Sequence, residues 1–181
     1  MLYPNEFVYF AYGSNMSVPR LSARIKPIRH IANGQLDGYR LTFDKASKDG
    51  SGKCDCKYTG NPEHCVWGVL FAIDNHSLAD LDKYEDAGRT YKRVQVSVQT
   101  EQGVVSAVTY IATKTEPGLR PYHWYKYHVL YGARAAKLPP DYIAVIERIE
   151  QTEDSDAARI EKNLAVYGNV RELSLAPQAT S

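Results

Sequence analysis

The chain has 181 residues, of which 44% are hydrophobic and 24% are charged, and this is typical of one globular domain with a sizeable core. Its 22 basic and 21 acidic residues give a net charge of +1, which predicts neither nucleic acid nor an anionic membrane as a partner. No apolar stretch approaches the length of a membrane span and the N-terminus does not resemble a signal sequence, so we expect a cytoplasmic protein.

The first notable feature is an unbroken apolar and aromatic stretch, residues 7–12, that runs directly into Gly-Ser-Asn at residues 13–15. Ser17 can then cap a short helix over residues 17–25. This pattern predicts a buried strand that ends in a tight turn. The backbone N–H groups of such a turn suit an anion, a carboxylate or a developing oxyanion. The alternative is a plain strand-to-helix turn that binds nothing.

Further strands are predicted from the apolar and alternating stretches that follow. Residues 28–43 predict one or two strands around a bulge or tight bend. Residues 44–52 are polar and contain two glycines, which predicts a loop, and residues 53–58 predict a short strand. Residues 66–73 predict a second buried strand, in which Gly68 marks a bulge or a close approach between backbones.

The three cysteines argue against a disulfide framework because their number is odd. Cys54 and Cys56 would lie on one face of a strand, which favours two buried thiols. A metal cluster completed by His64 and Cys65 is the alternative, but the spacing is poor for zinc. We therefore expect no metal.

An acidic residue lies on the inward face of the next predicted helix, which begins at Asn75 and which Gly88 ends, with Ser77 and Asp80 as a capping box. The inward stripe of this helix comprises Leu78, Leu81 and Glu85. Glu85 lies in the last turn, where the helix dipole opposes a negative charge. Such a carboxylate either pairs with an internal cation and holds the helix to the sheet, or accepts a proton in catalysis.

Strands and then helices are predicted for the rest of the chain. Alternation over residues 91–100 and 104–112 predicts a hairpin. Residues 122–137 predict a long helix after a loop. A further helix begins at the two prolines of residues 139–140, and its inward stripe comprises Tyr142, Val145, Ile146 and Ile149.

The chain is predicted to end in one more helix, capped by Asp154 or Ser155 and finishing near Gly168. We expect a single domain over residues 1–168 and a disordered tail over residues 169–181. Because strands come first and helices follow, the expected fold class is α+β with a mixed or antiparallel, barrel-like sheet.

Five segments together resemble the signature of the γ-glutamylcyclotransferase superfamily. They read YFAYGSNM (residues 9–16), VWGVL (66–70), LDKYE (81–85), Y-x(6)-GA (125–133) and LPPDY (138–142). They occur in the family's order and at similar spacing over residues 7–150. The YGSN turn separates the chain from the glutathione-specific branch, whose turn usually reads YGSL. Residues 44–61 differ from better-known members in length and composition. The identity of the substrate's leaving group is therefore left open.

The resemblance implies a small α+β fold in which helices surround a barrel-like core with a mixed sheet. It implies a conversion, without cofactor or metal, of a γ-glutamyl amino acid or γ-glutamyl amine to 5-oxoproline and the free amine. The expected partner is this small γ-glutamyl molecule, with no nucleic acid and no membrane, and a homodimer is left open. Two alternatives are removal of a γ-glutamyl protecting group in a biosynthetic pathway and a non-catalytic binding module on the same fold.

The resemblance also implies roles for particular residues. Glu85 matches the family's general acid/base, and Tyr125 matches a tyrosine that contacts the substrate. Tyr91 falls where the family often has a tyrosine, and it joins the expected substrate-binding residues. The loop that holds the γ-glutamyl group comprises Tyr9, Phe10, Ala11, Tyr12, Gly13, Ser14 and Asn15. A base is needed because the α-amino group of the substrate is protonated at neutral pH, and no protein nucleophile is needed because that amino group attacks within its own molecule.

Overall fold

The computed structural model describes residues 2–168 as seven strands and five α-helices. The strands are Glu6–Ala11 (β1), Ile28–Asp37 (β2), Tyr39–Ala46 (β3), Gly52–Tyr58 (β4), Cys65–Asp74 (β5), Tyr91–Thr100 (β6) and Gly103–Ala112 (β7). The helices are Val18–Ser22 (α1), Leu78–Tyr84 (α2), His123–Ala135 (α3), Pro140–Glu147 (α4) and Ala157–Leu164 (α5). Short 3-10 turns span Ser14–Met16, Asn75–Ser77 and Ala165–Tyr167. None of the helices in the described residues is long and apolar enough to cross a membrane.

Five of the strands close into a barrel in the order β1-β5-β2-β6-β7, and β3 and β4 form a separate hairpin. The barrel is mixed because β1 runs antiparallel to β5 and parallel to β7. The predicted α+β fold class with a barrel-like mixed sheet is therefore confirmed. Helices α3, α4 and α5 follow the last strand, whereas α1 lies between β1 and β2 and α2 lies between β5 and β6.

The two strands predicted to be buried lie side by side in the barrel. Phe10 on β1 and Leu70 on β5 are register partners, and both are fully buried. Gly68 on β5 allows this close approach, because a Cβ atom there would lie 2.4 Å from the backbone oxygen of Ala11. The glycine that was predicted to mark a bulge or a close contact therefore marks a close contact with β1.

The polar stretch predicted as a loop over residues 44–52 is mostly part of a hairpin. Strand β3 continues to Ala46 and β4 begins at Gly52, so only residues 47–51 connect them. Asp49 closes this connection by accepting hydrogen bonds from the Ser51 backbone N–H at 3.0 Å and from the Lys53 ammonium at 2.8 Å. The prediction was wrong at both ends because strand pairing overrides the polar composition of these residues.

The helix that carries Glu85 differs from its prediction at both ends. It is preceded by a 3-10 turn capped by Asp74, whose carboxylate accepts from the His76 backbone N–H at 2.9 Å, whereas Ser77 makes no capping hydrogen bond. The helix ends at Tyr84, four residues before Gly88. Because the Glu85 backbone N–H still bonds the Leu81 oxygen at 3.0 Å, the Glu85 side chain keeps its place on the inward stripe.

Two details of the C-terminal helices were also predicted wrongly. Val145 on α4 is 50% exposed, so it does not belong to the inward stripe. Asp156 caps α5, because its side chain accepts from the Arg159 backbone N–H at 3.0 Å. Asp154 is instead bound by the Trp124 indole N–H and by the Arg159 guanidinium. The predicted tail, residues 169–181, lies outside the described residues, and the domain limits stay a prediction.

Helix α3 holds the Ser14–Met16 turn in place. A Cβ atom on Gly132 would lie 2.5 Å from the Met16 Cβ and from the Ser17 backbone nitrogen, so the helix backbone rests directly on the turn. One helical turn earlier, buried His128 accepts from the Arg20 guanidinium at 2.8 Å, and burial lowers its pKa to about 2. The other nitrogen of the neutral imidazole, Nδ1, forms a hydrogen bond with the Tyr167 hydroxyl at 2.6 Å.

We expect Gly132→Ala to destabilise the chain by about 1–3 kcal/mol, the usual cost of adding a methyl group to a packed interior. The effect opposes intrinsic helix propensity, which favours alanine over glycine by about 1 kcal/mol. The free energy of unfolding from urea denaturation measures the change. A Gly132→Ala chain that is more stable than the wild type would contradict the contact between α3 and the turn.

Candidate functional site

A narrow pocket lies where β1 ends. Its empty volume, including the open solvent at its mouth, is about 300 Å³. It is lined by Tyr9, Tyr12, Gly13, Ser14, Asn15, Cys54, Glu85, Tyr91, Tyr110 and Tyr125. These residues come from segments spread along the chain: from β1 and the turn after it, from β4, from the end of α2, from β6 and β7, and from α3. The fold therefore brings together side chains that are far apart in the sequence.

Most of the residues predicted to form the site line this pocket, but Phe10 and Ala11 do not. Phe10 is on the opposite face of β1 from Tyr9, because successive side chains of a strand alternate. Its ring is fully buried and packs beside Gly68. Ala11 is 1% exposed, and its backbone oxygen faces the same glycine. These two residues therefore do not line this pocket, and their place among the substrate-binding residues stays a prediction.

Three residues of the site were missed by the sequence analysis: Cys54, Tyr110 and Arg24. Cys54 was considered only as a metal ligand or a packed thiol, and the strand pattern does not show which element covers its face. Tyr110 lies on β7 among other apolar residues. Arg24 follows the end of α1, and no spacing pattern relates it to Glu85.

The side-chain amide of Asn15 connects the turn to Glu85. Its Nδ2 donates to Glu85 Oε1 at 2.6 Å and to the Tyr9 hydroxyl oxygen at 3.1 Å. Its Oδ1 accepts from the Arg24 guanidinium at 2.8 Å. The guanidinium can only donate, so it fixes which end of the amide faces Glu85.

Glu85 is held through one of its two carboxylate oxygens. Oε1 lies 2.6 Å from Asn15 Nδ2 and 3.6 Å from Arg24 Nη1. Oε2 has no hydrogen-bonding partner among the residues that the structure describes. The Glu85 side chain is 16% exposed. The sequence left two interpretations of Glu85 open, an internal ion pair and a proton acceptor. The structure is compatible with both, because Glu85 pairs with a cation and also keeps an oxygen that can accept a proton.

The hydroxyl groups of Tyr125 and Tyr91 are held by the backbone of Cys54 with opposite polarity. The Cys54 N–H donates to the Tyr125 oxygen at 3.1 Å, and the Tyr91 hydroxyl donates to the Cys54 carbonyl at 2.6 Å. Because the Tyr125 oxygen accepts from this N–H, the Tyr125 proton points away from it. Tyr125 can therefore donate to a ligand, whereas Tyr91 offers a lone pair.

The other tyrosines of the pocket can be assigned in the same way. Tyr9 accepts from Asn15, so its own proton stays available for a ligand. Tyr12 donates to the Tyr110 carbonyl, and Tyr110 donates to Asp82 at 2.7 Å. Burial raises the pKa of Tyr9, Tyr91 and Tyr125 above its ordinary value. These hydroxyls therefore stay protonated at neutral pH.

The turn after β1 supplies further donors. Within residues 2–168 the backbone N–H groups of Gly13, Ser14 and Asn15 have no protein acceptor. The first N–H groups that donate within the 3-10 turn are those of Met16 and Ser17. Gly13 has a φ of −115°, so close packing and not a left-handed conformation favours a glycine here. A Cβ atom there would lie 3.0 Å from the Cys54 Cβ and 3.6 Å from the Tyr125 hydroxyl.

The two thiols on β4 are buried, which is the arrangement that the sequence favoured. Cys54 is 2% exposed and Cys56 is fully buried. Burial raises the pKa of the Cys54 thiol to about 12, so this residue is not a thiolate at neutral pH. Among the described residues, no group of three or more histidine, cysteine, aspartate or glutamate side chains is placed to hold a metal ion.

Comparisons with known proteins agree with one another. Residues 65–146 match the profile of the AIG2-like family. Gamma-glutamylcyclotransferase of Bos taurus is 29% identical over 151 residues, which is 80% of this chain and 79% of the relative. Gamma-glutamylcyclotransferase of Homo sapiens is 28% identical over 158 residues, which is 81% of each chain.

Solved structures show the same fold. A structure described as gamma-glutamyl cyclotransferase is 25% identical, with a TM-score of 0.80 over 91% of this chain and 99% of its own. The structure of a Homo sapiens protein described as uncharacterized is 26% identical, with a TM-score of 0.79 over 87% of this chain and 97% of its own. The barrel and its helices are therefore shared along nearly the whole length of both structures.

We expect Asn15→Ala to destabilise the chain by about 1–3 kcal/mol, because it leaves the half-buried ends of Arg24 and Glu85 without their shared partner. Asn75→Ala is the matched control, since Asn75 is exposed and its side chain makes no hydrogen bond within the described residues. Urea denaturation of both variants gives the two changes in unfolding free energy. Equal losses would show that the Asn15 network does not stabilise the fold.

Proposed function

We propose that this chain, which shares the sequence motifs and the fold of the γ-glutamylcyclotransferase superfamily, converts γ-glutamyl amides to 5-oxoproline and a free amine. The relatives of Bos taurus and Homo sapiens support a cyclotransferase activity. The observation that carries the proposal is the Glu85 carboxylate, held by Asn15 through one oxygen with the other unengaged. It lies in the same pocket as Gly13–Asn15, whose backbone N–H groups are free.

The reaction needs little from the protein besides a base and a shape. The α-amino nitrogen of the substrate attacks its own γ-carbonyl carbon, so a C–N bond forms and closes a five-membered ring. The C–N bond to the leaving amine then breaks. The two protons that the α-ammonium group loses are balanced by two that the leaving nitrogen gains. A pocket that holds the folded conformer supplies the proximity on which this step depends.

Glu85 is assigned the proton transfers. Its free Oε2 takes a proton from the α-ammonium group, which makes the nitrogen nucleophilic, and later returns a proton to the leaving amine. The oxygen of Tyr91 can also accept from the ammonium group, because the Tyr91 proton is engaged with the Cys54 carbonyl. The ammonium group is thus expected between Glu85 and Tyr91.

The donors of the pocket are assigned to the oxygens of the substrate. The free N–H groups of residues 13–15 can bind the γ-carbonyl oxygen as it becomes an oxyanion, or the α-carboxylate. The protons of Tyr9 and Tyr125 add two neutral donors, and their raised pKa keeps them protonated. No cofactor enters this scheme, because ring closure needs neither a redox step nor a group carrier.

The ion pair between Glu85 and Arg24 supports a second candidate, a binding module for a small metabolite. In such a module the carboxylate would hold the end of α2 against α1 and would not transfer protons. Removal of a γ-glutamyl protecting group, by contrast, uses the same chemistry and differs only in the leaving amine. A variant that removes the basic oxygen of Glu85 separates catalysis from binding.

We expect Glu85→Gln to fold like the wild type, to bind γ-glutamyl ligands, and to lose turnover by ~1000-fold or more, the scale of a positioned acid/base. Glutamine keeps the size of the side chain and can still accept from Asn15, but it removes the basic oxygen. Release of 5-oxoproline from a panel of γ-glutamyl amides measures turnover, and thermal melts measure folding.

Asp80→Asn is the matched control, because Asp80 is an exposed carboxylate on the same helix. It should change neither turnover nor melting. If Glu85→Gln melts normally and keeps full turnover, Glu85 has no part in the mechanism. If its turnover falls only in proportion to its folded fraction, the structural role of the Glu85–Arg24 pair explains the whole loss.

We expect Tyr125→Phe to raise KM by about 5- to 10-fold with a smaller effect on kcat, since one neutral hydrogen bond to the substrate is lost. Tyr131→Phe on the same helix is the control, because the Tyr131 hydroxyl makes no hydrogen bond among the described residues. Steady-state kinetics of 5-oxoproline release gives both constants. Identical kinetics in the two variants would assign Tyr125 to packing alone.

A further inference from the structure

Asp82 on α2 carries a carboxylate that the proposed mechanism does not use. Its two oxygens are bound separately: Oδ1 accepts from the Tyr110 hydroxyl of β7 at 2.7 Å, and Oδ2 accepts from the Arg93 guanidinium of β6. A carboxylate that accepts from two side chains is held in one orientation, and hydrogen bonds to a charged group are the stronger kind. Asp82 therefore connects α2 to two strands of the barrel.

This helix is short, and Glu85 lies at its end. The helix has seven residues, of which Leu81 is the fully buried one. The chain turns sharply directly after Glu85, where Asp86 has a φ of 50° and the Ala87 backbone N–H donates to the Asp82 backbone oxygen at 2.9 Å. A small movement of the helix end would therefore move the Glu85 carboxylate.

The two carboxylates lie on the same face of α2. Residues three positions apart are neighbours on a helix surface, with their Cβ atoms about 5–6 Å apart, so a contact that fixes Asp82 also fixes the backbone that carries Glu85. The two partners of Asp82 differ in their surroundings. Tyr110 lines the pocket, whereas the Arg93 side chain is 41% exposed, and exposed ion pairs contribute little. The hydrogen bond from Tyr110 is thus the stronger restraint.

Tyr110 also contacts the donor side of the pocket. Its backbone carbonyl accepts from the Tyr12 hydroxyl, and Tyr12 directly precedes Gly13 in the turn after β1. Its ring packs edge-on against the ring of Tyr9, with the centroids 6.0 Å apart. Burial raises the pKa of Tyr110, and the hydrogen bond to Asp82 raises it further, so the hydroxyl remains a donor. One residue of β7 therefore touches both the helix of the proposed base and the turn with the free N–H groups.

We infer that Asp82 is a positioning residue that acts through Tyr110: their hydrogen bond keeps Glu85 at a fixed distance from the turn after β1. The inference rests on the proposed function, because this distance matters for turnover only if Glu85 transfers protons. Proton transfer requires heavy atoms within hydrogen-bond reach, and a displacement of about 1 Å can slow an enzymatic step by roughly 100-fold. Asp82 itself does not line the pocket.

We expect Asp82→Ala to lower kcat by about 10- to 100-fold and to change KM by less than about 3-fold, because the base moves while the contacts that bind the substrate remain. Tyr110→Phe, which removes only the hydroxyl, should have a similar effect. Both variants break the same hydrogen bond, so the double variant should lose no more than the larger of the two single losses. Release of 5-oxoproline from γ-glutamyl amides gives kcat and KM, and thermal melts give the folded fraction.

Asp80→Ala is the matched control, because Asp80 is an exposed carboxylate on the same helix. Arg93→Met is a second control, since it removes the other partner of Asp82 and keeps the hydrogen bond from Tyr110. Both should keep kcat within about 3-fold of wild type, because exposed charges contribute little. Tyr110→Phe keeps the ring, so it tests the inference even where Asp82→Ala fails to fold.

Four results obtained with an active wild type would overturn the inference alone. The first is a wild-type kcat in Tyr110→Phe, and the second is a kcat that falls only in proportion to the folded fraction. The third is a double variant whose loss is the product of the two single losses, and the fourth is an Arg93→Met variant that loses as much kcat as Tyr110→Phe. A wild type that releases 5-oxoproline from no γ-glutamyl compound would instead overturn the proposed function, and the inference with it.

Discussion

The hydrogen bonds of the Asn15 amide are the constraint on which the site depends. The amide joins three segments: the turn after β1, the residue beyond α1, and the end of α2. Arg24 takes the amide oxygen, so the amide nitrogen must face Glu85 and Tyr9. Without that orientation, the amide oxygen would lie against the carboxylate and repel it. A single polar side chain thus sets both the place of the carboxylate and the direction of the Tyr9 proton.

A second constraint comes from β4, outside the barrel. Main-chain groups of Cys54 hold the hydroxyls of Tyr125 and Tyr91, and they give these hydroxyls opposite polarity. A backbone amide is a reliable support because its position follows from strand pairing and not from a rotamer. The hairpin therefore does more than cover the barrel. It decides which tyrosine hydroxyl can donate to a ligand and which can accept.

The sequence predicted the parts of this arrangement that depend on local pattern. Apolar runs identified β1 and β5, and helical spacing placed Glu85 inward although the helix itself is shorter than predicted. Arg24, Cys54 and Tyr110 could not be found in this way, because their roles arise from contacts between segments that are distant in sequence. The ends of the loop between β3 and β4 were predicted wrongly for a related reason, since its polar residues satisfy one another only after the strands pair.

The chemistry of the pocket leaves one residue for the proposed proton transfer. The tyrosines that line it have a raised pKa because they are buried, so they donate hydrogen bonds without ionising. The Cys54 thiol, with its pKa near 12, is neither a base nor a nucleophile at neutral pH. Glu85 is the one acidic side chain among the lining residues of this described pocket. Its pairing with Arg24 does not compete with the proposed proton transfer, because the contacts engage Oε1 and leave Oε2 to meet a proton.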